Sequence, residues 1–279
     1  MKKPYYIREA LLVFCLFFTV TCSAFAQNES PQEQFVPQSG QEGKDVVWVP
    51  TPQELVEKML DLAEVTPDDY VIDLGSGDGR TVIAAAKRGA QALGIEYNPK
   101  MVELSSQYAE AEGVSKRAKF IVADLFETDL SKATVITMFL LTSINRELRP
   151  KILNLKPGTR IVSNTFTMGD WECDDSATVD SIDSTYDTAL LWIVPAKVAG
   201  IWQFDQAKLT LIQDFQMISG SLEIGSSTIP IEEGKLHGSQ ISFSTGEEQY
   251  NGQVNGNTIE GIITSKSNNR KWNAVLVSK

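Results

Sequence analysis

The sequence predicts an α/β fold, a parallel sheet with helices on both faces, followed by a small all-β meander or barrel. Three observations predict it. Between Thr51 and about Pro195, short apolar runs alternate with stretches of helical period, as in a parallel sheet buried on both faces. The first run, Tyr70-Val71-Ile72-Asp73-Leu74, leads straight into the loop Gly75-Ser76-Gly77-Asp78-Gly79. After Ala196 the helical period is lost, and short alternating runs are separated by turn pairs.

The chain opens with Lys2, Lys3 and Arg8, an apolar run from Ala10 to Val20, and Ala24-Phe25-Ala26 before Gln27. That is the arrangement of a cleaved secretory signal over residues 1–26, and the run is short for a membrane span of roughly 20 residues. It implies an exported protein, periplasmic or secreted, with no stable membrane span after cleavage. An uncleaved N-terminal anchor is the alternative. Residues 27–45 are rich in Gln, Glu, Ser, Pro and Gly and read as a flexible linker. The α/β domain is expected over 46–195 and the β domain over 196–279.

Thr51 is placed to cap a helix with Pro52 at its first position and Glu54 at its third. Leu55, Met59, Leu62 and Ala63 share its apolar face. A strand over Tyr70–Leu74 follows, then a helix from Thr81 to Lys87 and a second strand, Ala92 to Glu96. Pro99 to Glu112 reads as a helix stopped by Gly113. Ala118 to Ala123 and Ala133 to Leu140 are the third and fourth strands. Arg146 to Leu155 is helical with a kink at Pro150, and Arg160 to Phe166 is the fifth strand. Thr188 to Val194 closes the sheet. Beyond it, Leu209/Leu211, Ile241/Phe243, Tyr250/Val254, Ile259/Ile263 and Trp272/Ala274 alternate with polar residues. Ser219-Gly220, Gly225-Ser226, Gly238-Ser239 and Asn255-Gly256 are the expected turns. Trp202, Trp272 and Tyr250 are expected in the core of this second domain.

The 279 residues are 42% hydrophobic and 22% charged, an ordinary globular composition. Lys and Arg number 25 against 36 Asp and Glu, a net charge of −11. General nucleic-acid binding relies on cationic side chains that neutralise phosphates, so this balance argues against it. His237 is the only histidine, which disfavours a His/Cys zinc site, and no metal is expected. Cys15 and Cys22 leave with the signal, so Cys173 has no partner for an intramolecular disulfide.

The glycine loop carries most of the functional information. Gly75 and Gly77 let the backbone approach a ligand closely, and the helix that follows offers free N–H donors. The G-x-G-x-G spacing fits neither a dinucleotide fingerprint nor a phosphate-binding P-loop. Glu96 ends the second strand, where a carboxylate can accept from two ribose hydroxyls. Asp124 follows the third, where one can accept from an adenine amino group. Each acid alone could be an ordinary turn residue. Asp73, Glu96 and Asp124 all fall toward the carboxyl ends of parallel strands, where open α/β sheets bind ligands.

Residues 46–195 resemble the class I S-adenosylmethionine-dependent methyltransferases, whose sheet is Rossmann-like. Asp73-Leu74-Gly75-Ser76-Gly77-Asp78-Gly79 is similar to their first motif, Glu96 to the acid that holds the cofactor ribose, and Asp124-Leu125 to the adenine-side motif. A finer resemblance is to the branch of the mitochondrial ATP synthase c-subunit lysine methyltransferase and its small prokaryotic relatives. It rests on Val49-Pro50-Thr51-Pro52, the Asp73–Arg80 segment, Asp124-Leu125-Phe126 and Leu148-Arg149-Pro150. The resemblance implies S-adenosyl-L-methionine as cofactor, held by Thr51, Asp73, Gly75, Ser76, Gly77, Gly79, Glu96, Asp124 and Leu125. It also implies a protein substrate with an accessible lysine. The Asn/Asp-Pro-Pro-Tyr/Phe motif used on planar nitrogens of bases or glutamine is replaced here by Phe139-Leu140-Leu141-Thr142-Ser143, which argues against adenine-N6 and glutamine methylation and agrees with the charge balance.

Thr142, Asn145, Asn164 and Phe166, near the ends of the fourth and fifth strands, are candidates for a substrate channel, with packing or capping as the plainer alternative. From Met168 to Asp187 there are seven acids and no Lys or Arg, read as a solvated loop that could also attract a lysine-bearing protein. Acidic neighbours should raise the Cys173 thiol pKa. Two classes of function follow. One is a methyltransferase, favoured by the intact motifs. The other is a non-catalytic exported binding protein that keeps the fold and recognises partners through the β domain.

Overall fold

The computed structural model describes Met1 and residues 35–180, 185–266 and 268–278. The expected signal and the two cysteines within it lie outside the described residues.

The first sheet is built from β1 (Tyr70–Leu74), β2 (Gln91–Glu96), β3 (Ala118–Val122), β4 (Val135–Met138), β5 (Arg160–Asn164), β6 (Asp175–Thr178) and β7 (Thr188–Ile193). Their spatial order is β3-β2-β1-β4-β5-β7-β6. Strands β1 to β5 are parallel, whereas β7 runs antiparallel to β5 and β6 antiparallel to β7. The sheet is therefore mixed rather than parallel throughout. Strand β6 lies inside the acidic segment read from sequence as a loop; four mostly exposed residues, Asp-Ser-Ala-Thr, give it almost no strand signal.

Helices α1 (Gln53–Leu62), α2 (Arg80–Lys87), α3 (Pro99–Ala111) and α4 (Thr142–Ile152) cover the sheet. Alternation along each strand divides the core. Val71, Val135 and Val162 pack with Leu55 and Leu60 of α1 and Val82 of α2. Ile72, Ile136 and Ile161 face the other way, onto Ile144, Leu148 and Ile152 of α4. Asn98 caps α3 by accepting from Lys100 N at 3.0 Å, with Pro99 behind it. Pro52, not Thr51, sits at the N-cap of α1 and makes no side-chain cap bond. Helix α4 begins at Thr142, four residues before the expected start, because its N-cap is Leu141 and carries no capping side chain to announce it.

The second sheet comprises β8 (Gly200–Phe204), β9 (Ala207–Asp214), β10 (Met217–Ile224), β11 (Ser227–Pro230), β12 (Glu232–His237), β13 (Gln240–Thr245), β14 (Glu248–Asn255), β15 (Thr258–Thr264) and β16 (Asn269–Ser278). All pairings are antiparallel, and β9 pairs with β10 to close eight strands into a barrel, with β11 on the far end of β10. Ser219-Gly220 lies within β10 rather than at a turn. Trp202, Phe204, Phe243, Tyr250 and Trp272 are buried inside. Phe243 stacks on Tyr250 at 4.7 Å, and Trp272 meets Phe204 and Tyr250 edge-on, each at 5.5 Å. Each such ring contributes roughly 1.5–3 kcal/mol by burial. These side chains fill the barrel interior as a packed core.

The two sheets meet in one compact unit from Phe35 onward. Trp171, fully buried, donates its indole N–H to Gln216 Oε1 at 2.8 Å, and Gln216 Nε2 returns a bond to Glu172 O at 2.9 Å. Phe215 stacks on Trp171 at 5.7 Å, and the Arg149 guanidinium lies 5.0 Å above the Phe215 ring.

Candidate active site

The carboxyl ends of β1, β2 and β4 and the segment after β3 line a cleft of about 1060 Å³, its open mouth included. Its other wall is residues 41–51. The sequence read residues 41–45 as linker, but they and the residues up to Thr51 are held as a strap. Gly40 N donates to Trp48 O at 2.8 Å and Trp48 N to Gln41 O at 2.9 Å. Gln41 Nε2 lies 3.6 Å from Met101 Sδ, and Lys44 Nζ is 2.5 Å from Asp124 Oδ2. Lys44 also sits 5.1 Å from the centre of the Tyr97 ring.

Of the residues expected around a cofactor, Thr51, Asp73, Gly75, Ser76, Gly77, Glu96, Asp124 and Leu125 line the cleft. Gly79 does not: an added Cβ would meet Phe120 and Ser105 at 2.7 Å, so its bareness serves the packing of α2 on α3 and β3. Gly77 has φ +54°, and a Cβ there would stand 2.4 Å from the Trp48 indole nitrogen. The loop thus needs glycine for its backbone and for the strap above it.

Glu96 ties the loop to β2. Its Oε2 accepts from Gly77 N at 3.0 Å and its Oε1 from Asn98 N at 2.9 Å. A carboxylate has lone pairs left for a further donor on each oxygen. Asp73 is buried and accepts from Thr137 Oγ1 at 2.7 Å. Burial pushes its pKa up to about 7, with Asp78 and Glu96 adding to the rise and the Thr137 bond opposing it. Asp124 Oδ1 accepts from Phe126 N at 2.9 Å. The hydrogen bond from Lys44 lowers the Asp124 pKa, and the same bond raises that of Lys44. Arg80 braces the strap: it pairs with Asp78 at 2.5 Å and donates to Thr51 O at 2.7 Å.

None of the four channel candidates lines the cleft itself, whose wall at this end is formed by Phe139, Leu140 and Ile144. Thr142 is the half-buried first residue of α4. Asn145 is fully buried; its Nδ2 donates to Phe166 O at 3.1 Å and Thr167 O at 3.2 Å, fixing the turn after β5. Asn164 is also buried and donates to Thr51 Oγ1 at 3.3 Å, joining β5 to the strap. Phe166 packs on Phe139, with ring centres 5.9 Å apart. The pKa of Cys173 is raised, by burial first and by Asp174, Asp175 and Glu172 second.

The site fits a nucleoside with a cationic amino-acid arm. The Ser76 hydroxyl is buried without a partner, the loop is bare where a Cβ would intrude, and acids stand at the ends of β1 and β2 and after β3. Lys44, Trp48 and Phe139 were missed from sequence as residues of the site. Only Val49-Pro50-Thr51-Pro52 drew attention to that wall, through the family resemblance.

Residues 73–175 match the family described as ANTKMT methyltransferase domain, and residues 27–107 the one described as DNA methylase. A protein-lysine N-methyltransferase of Saccharolobus islandicus is 41% identical over 152 residues, 53% of this chain and 94% of the relative. The ATP synthase c-subunit lysine N-methyltransferase of Xenopus laevis is 34% identical over 183 residues, 65% of this chain and 73% of the relative. For the rat counterpart the chain spans 64% of the relative's length, at 34% identity. An RNA methyltransferase from Salinibacter ruber, solved in complex with S-adenosyl-L-homocysteine, aligns with a TM-score of 0.51 and 43% identity over 54% of this chain and 96% of that one.

Proposed function

Because the chain belongs to the class I S-adenosylmethionine-dependent methyltransferases, in the branch of the lysine methyltransferases above, we propose that it methylates a lysine side chain of a protein. The observation that carries this reading is Glu96 at the end of β2, anchored to the glycine loop and open to the cleft. S-adenosylmethionine supplies a methyl group on a sulfonium, open to in-line displacement. Glu96 would hold its ribose hydroxyls, Asp124 and Leu125 its adenine, and the Gly75-Ser76-Gly77 loop with Asp73 its amino-acid arm. Each hydrogen bond to a charged group is worth roughly 1.5–3 kcal/mol.

A lysine amine is a nucleophile only when neutral, and its ordinary pKa is about 10.4. Desolvation beside Phe139, Leu140 and Ile144 favours the neutral form. In-line transfer needs the amine held in line with the sulfonium, which is a matter of orientation. A protein acceptor is preferred to a nucleic acid because the chain is acidic and because Phe139–Ser143 stands where a planar-nitrogen motif would be.

The start of the chain adds export to the proposal, with Ala26-Gln27 as the cleavage point. Among the described residues no helix is long and apolar enough to cross a membrane. Fractionation of cells expressing the full chain, with sequencing of the mature N-terminus, tests this; full-length protein in the cytoplasm would refute it.

Calorimetry of the full chain with S-adenosylmethionine and S-adenosylhomocysteine, alongside Glu96→Ala, tests the cofactor site. Micromolar binding that Glu96→Ala weakens at least tenfold is the expected result. No binding by folded protein would overturn the enzyme reading and leave the fold as an exported recognition module. Transfer of labelled methyl to RNA or DNA, but not to protein lysine, would overturn the choice of acceptor.

A further inference from the structure

Beside the cofactor cleft, three aromatic rings cluster around Phe139, itself part of the cleft wall. Across the sheet the acids run in order: Asp124 after β3, Glu96 on β2, Asp73 on β1. The next strand is β4, and Phe139 follows it as part of the cleft wall. Phe166 follows β5, and Tyr186 precedes β7. The ring centres of Phe139 and Phe166 are 5.9 Å apart, those of Phe139 and Tyr186 5.1 Å, and those of Phe166 and Tyr186 5.8 Å. All three residues are half-buried. The cluster therefore lies on the side of the cleft opposite Asp124.

The backbone is strained to aim Phe166. Thr165, a β-branched residue, is held at φ +60°, a sparsely populated conformation that persists only where neighbours over-determine it. The neighbours are present. Thr165 N donates to Thr188 O at 2.7 Å, Thr165 Oγ1 to Asn164 Oδ1 at 2.9 Å, and Asn145 grips the carbonyls of Phe166 and Thr167. Neither Lys nor Arg occurs between Met168 and Asp187, and Asp180 and Asp187 flank Tyr186 in sequence. The segment that carries Tyr186 is thus acidic in sequence, although Asp170 pairs with Arg149 and Asp174 lies 3.5 Å from Lys235.

We infer that Phe139, Phe166 and Tyr186 form the acceptor subsite, taking the aliphatic arm and amine of a lysine side chain. Apolar ring faces hold the methylenes, attract the cationic form on entry, and desolvate the amine. The flanking acids raise the local concentration of cationic side chains. This rests on the proposed lysine methylation and adds the residues that select the acceptor.

The test uses the full chain and a nitrogen-for-sulfur analogue of S-adenosylhomocysteine whose nitrogen carries the four-methylene arm of a lysine residue. Calorimetry compares its affinity with that of S-adenosylhomocysteine. In the unaltered protein the analogue should bind at least about tenfold tighter, the scale of burying about two methylenes of its arm on apolar ring faces. In Phe166→Ala and Tyr186→Ala that gain should fall below about threefold, while S-adenosylhomocysteine still binds within twofold of the unaltered affinity. Phe166→Tyr should keep the gain. Retained S-adenosylhomocysteine binding also reports that each variant is folded. No gain in the unaltered protein, or an undiminished gain in both alanine variants, overturns the subsite and leaves the cofactor reading intact. Failure of S-adenosylhomocysteine itself to bind overturns both.

Discussion

Lys44 Nζ lies 2.5 Å from Asp124 Oδ2, and this pair latches residues 41–48 across the mouth of the cleft. Asp124 was expected from sequence to meet an adenine; in the structure it already holds a cation from the chain itself. A ligand at that end must share the carboxylate with Lys44 or displace it. Lys44→Ala should therefore speed S-adenosylhomocysteine release by roughly two- to fivefold, the modest scale of an exposed pair. Association should change little. Stopped-flow kinetics measure both, and salt should narrow the difference. An unchanged release rate would show that the latch is idle.

Asp73 links stability to pH. Its folded pKa of about 7 lies above the usual carboxyl value of about 3.9. The folded chain then holds this proton more tightly than the unfolded chain does. The stability it brings is fully present below about pH 4 and is lost as pH rises through about 7. Asp73→Asn keeps an acceptor for Thr137 and removes the titration. The ligand-free variant should be more stable than the unaltered protein at pH 8, by on the order of 2–4 kcal/mol, and close to it at pH 4. Thermal melts across that range measure this, and parallel pH curves would refute it. The same variant should bind S-adenosylmethionine more weakly.

Gly77 and Gly113 separate two roles of glycine. Both have positive φ, but a Cβ at Gly113 meets nothing within 4 Å, whereas one at Gly77 meets Trp48. Gly113→Ala should cost about 1 kcal/mol of stability and leave S-adenosylhomocysteine affinity unchanged. Gly77→Ala should cost a similar amount and, by displacing the strap, weaken affinity more than tenfold. Denaturant titration and calorimetry on both variants check this. Equal affinities would show that the strap does not shape the cleft.

Gln216 joins the barrel to the first sheet through Trp171 and Glu172. Gln216→Leu leaves the buried Trp171 N–H without its acceptor and should cost about 1–3 kcal/mol. Urea unfolding followed by tryptophan fluorescence measures it. A loss under about 0.3 kcal/mol would mean that the junction rests on its other contacts, the Phe215 stacking and the Lys235–Asp174 pair among them.

The sequence was most legible where the signal is local. The run Tyr70–Leu74 into three glycines, Asn98-Pro99 before α3 and Gly113 after it each state a strand, a cap or a stop within a few residues. The start of α4 and all of β6 were hidden because Leu141 is no capping residue and Asp-Ser-Ala-Thr is no strand former; tertiary contacts override both. Thr142 and Asn145 shared the neighbourhood of the cleft without lining it; α4 turns the Asn145 side chain onto the carbonyls of Phe166 and Thr167 instead.

By itself, then, the sequence determined what one wall of the cleft is made of: a strand, a glycine loop, and acids at the ends of neighbouring strands, all written within about fifty residues. Only the tertiary structure decided the other walls. The strap packs Lys44 against Asp124, eighty residues away, and Asn164 bonds to Thr51 across 113 residues. Phe139, Phe166 and Tyr186 converge from three separate strands. Such contacts leave no periodicity in a sequence, because what holds them together is the register of the sheet rather than the neighbouring residues in the chain.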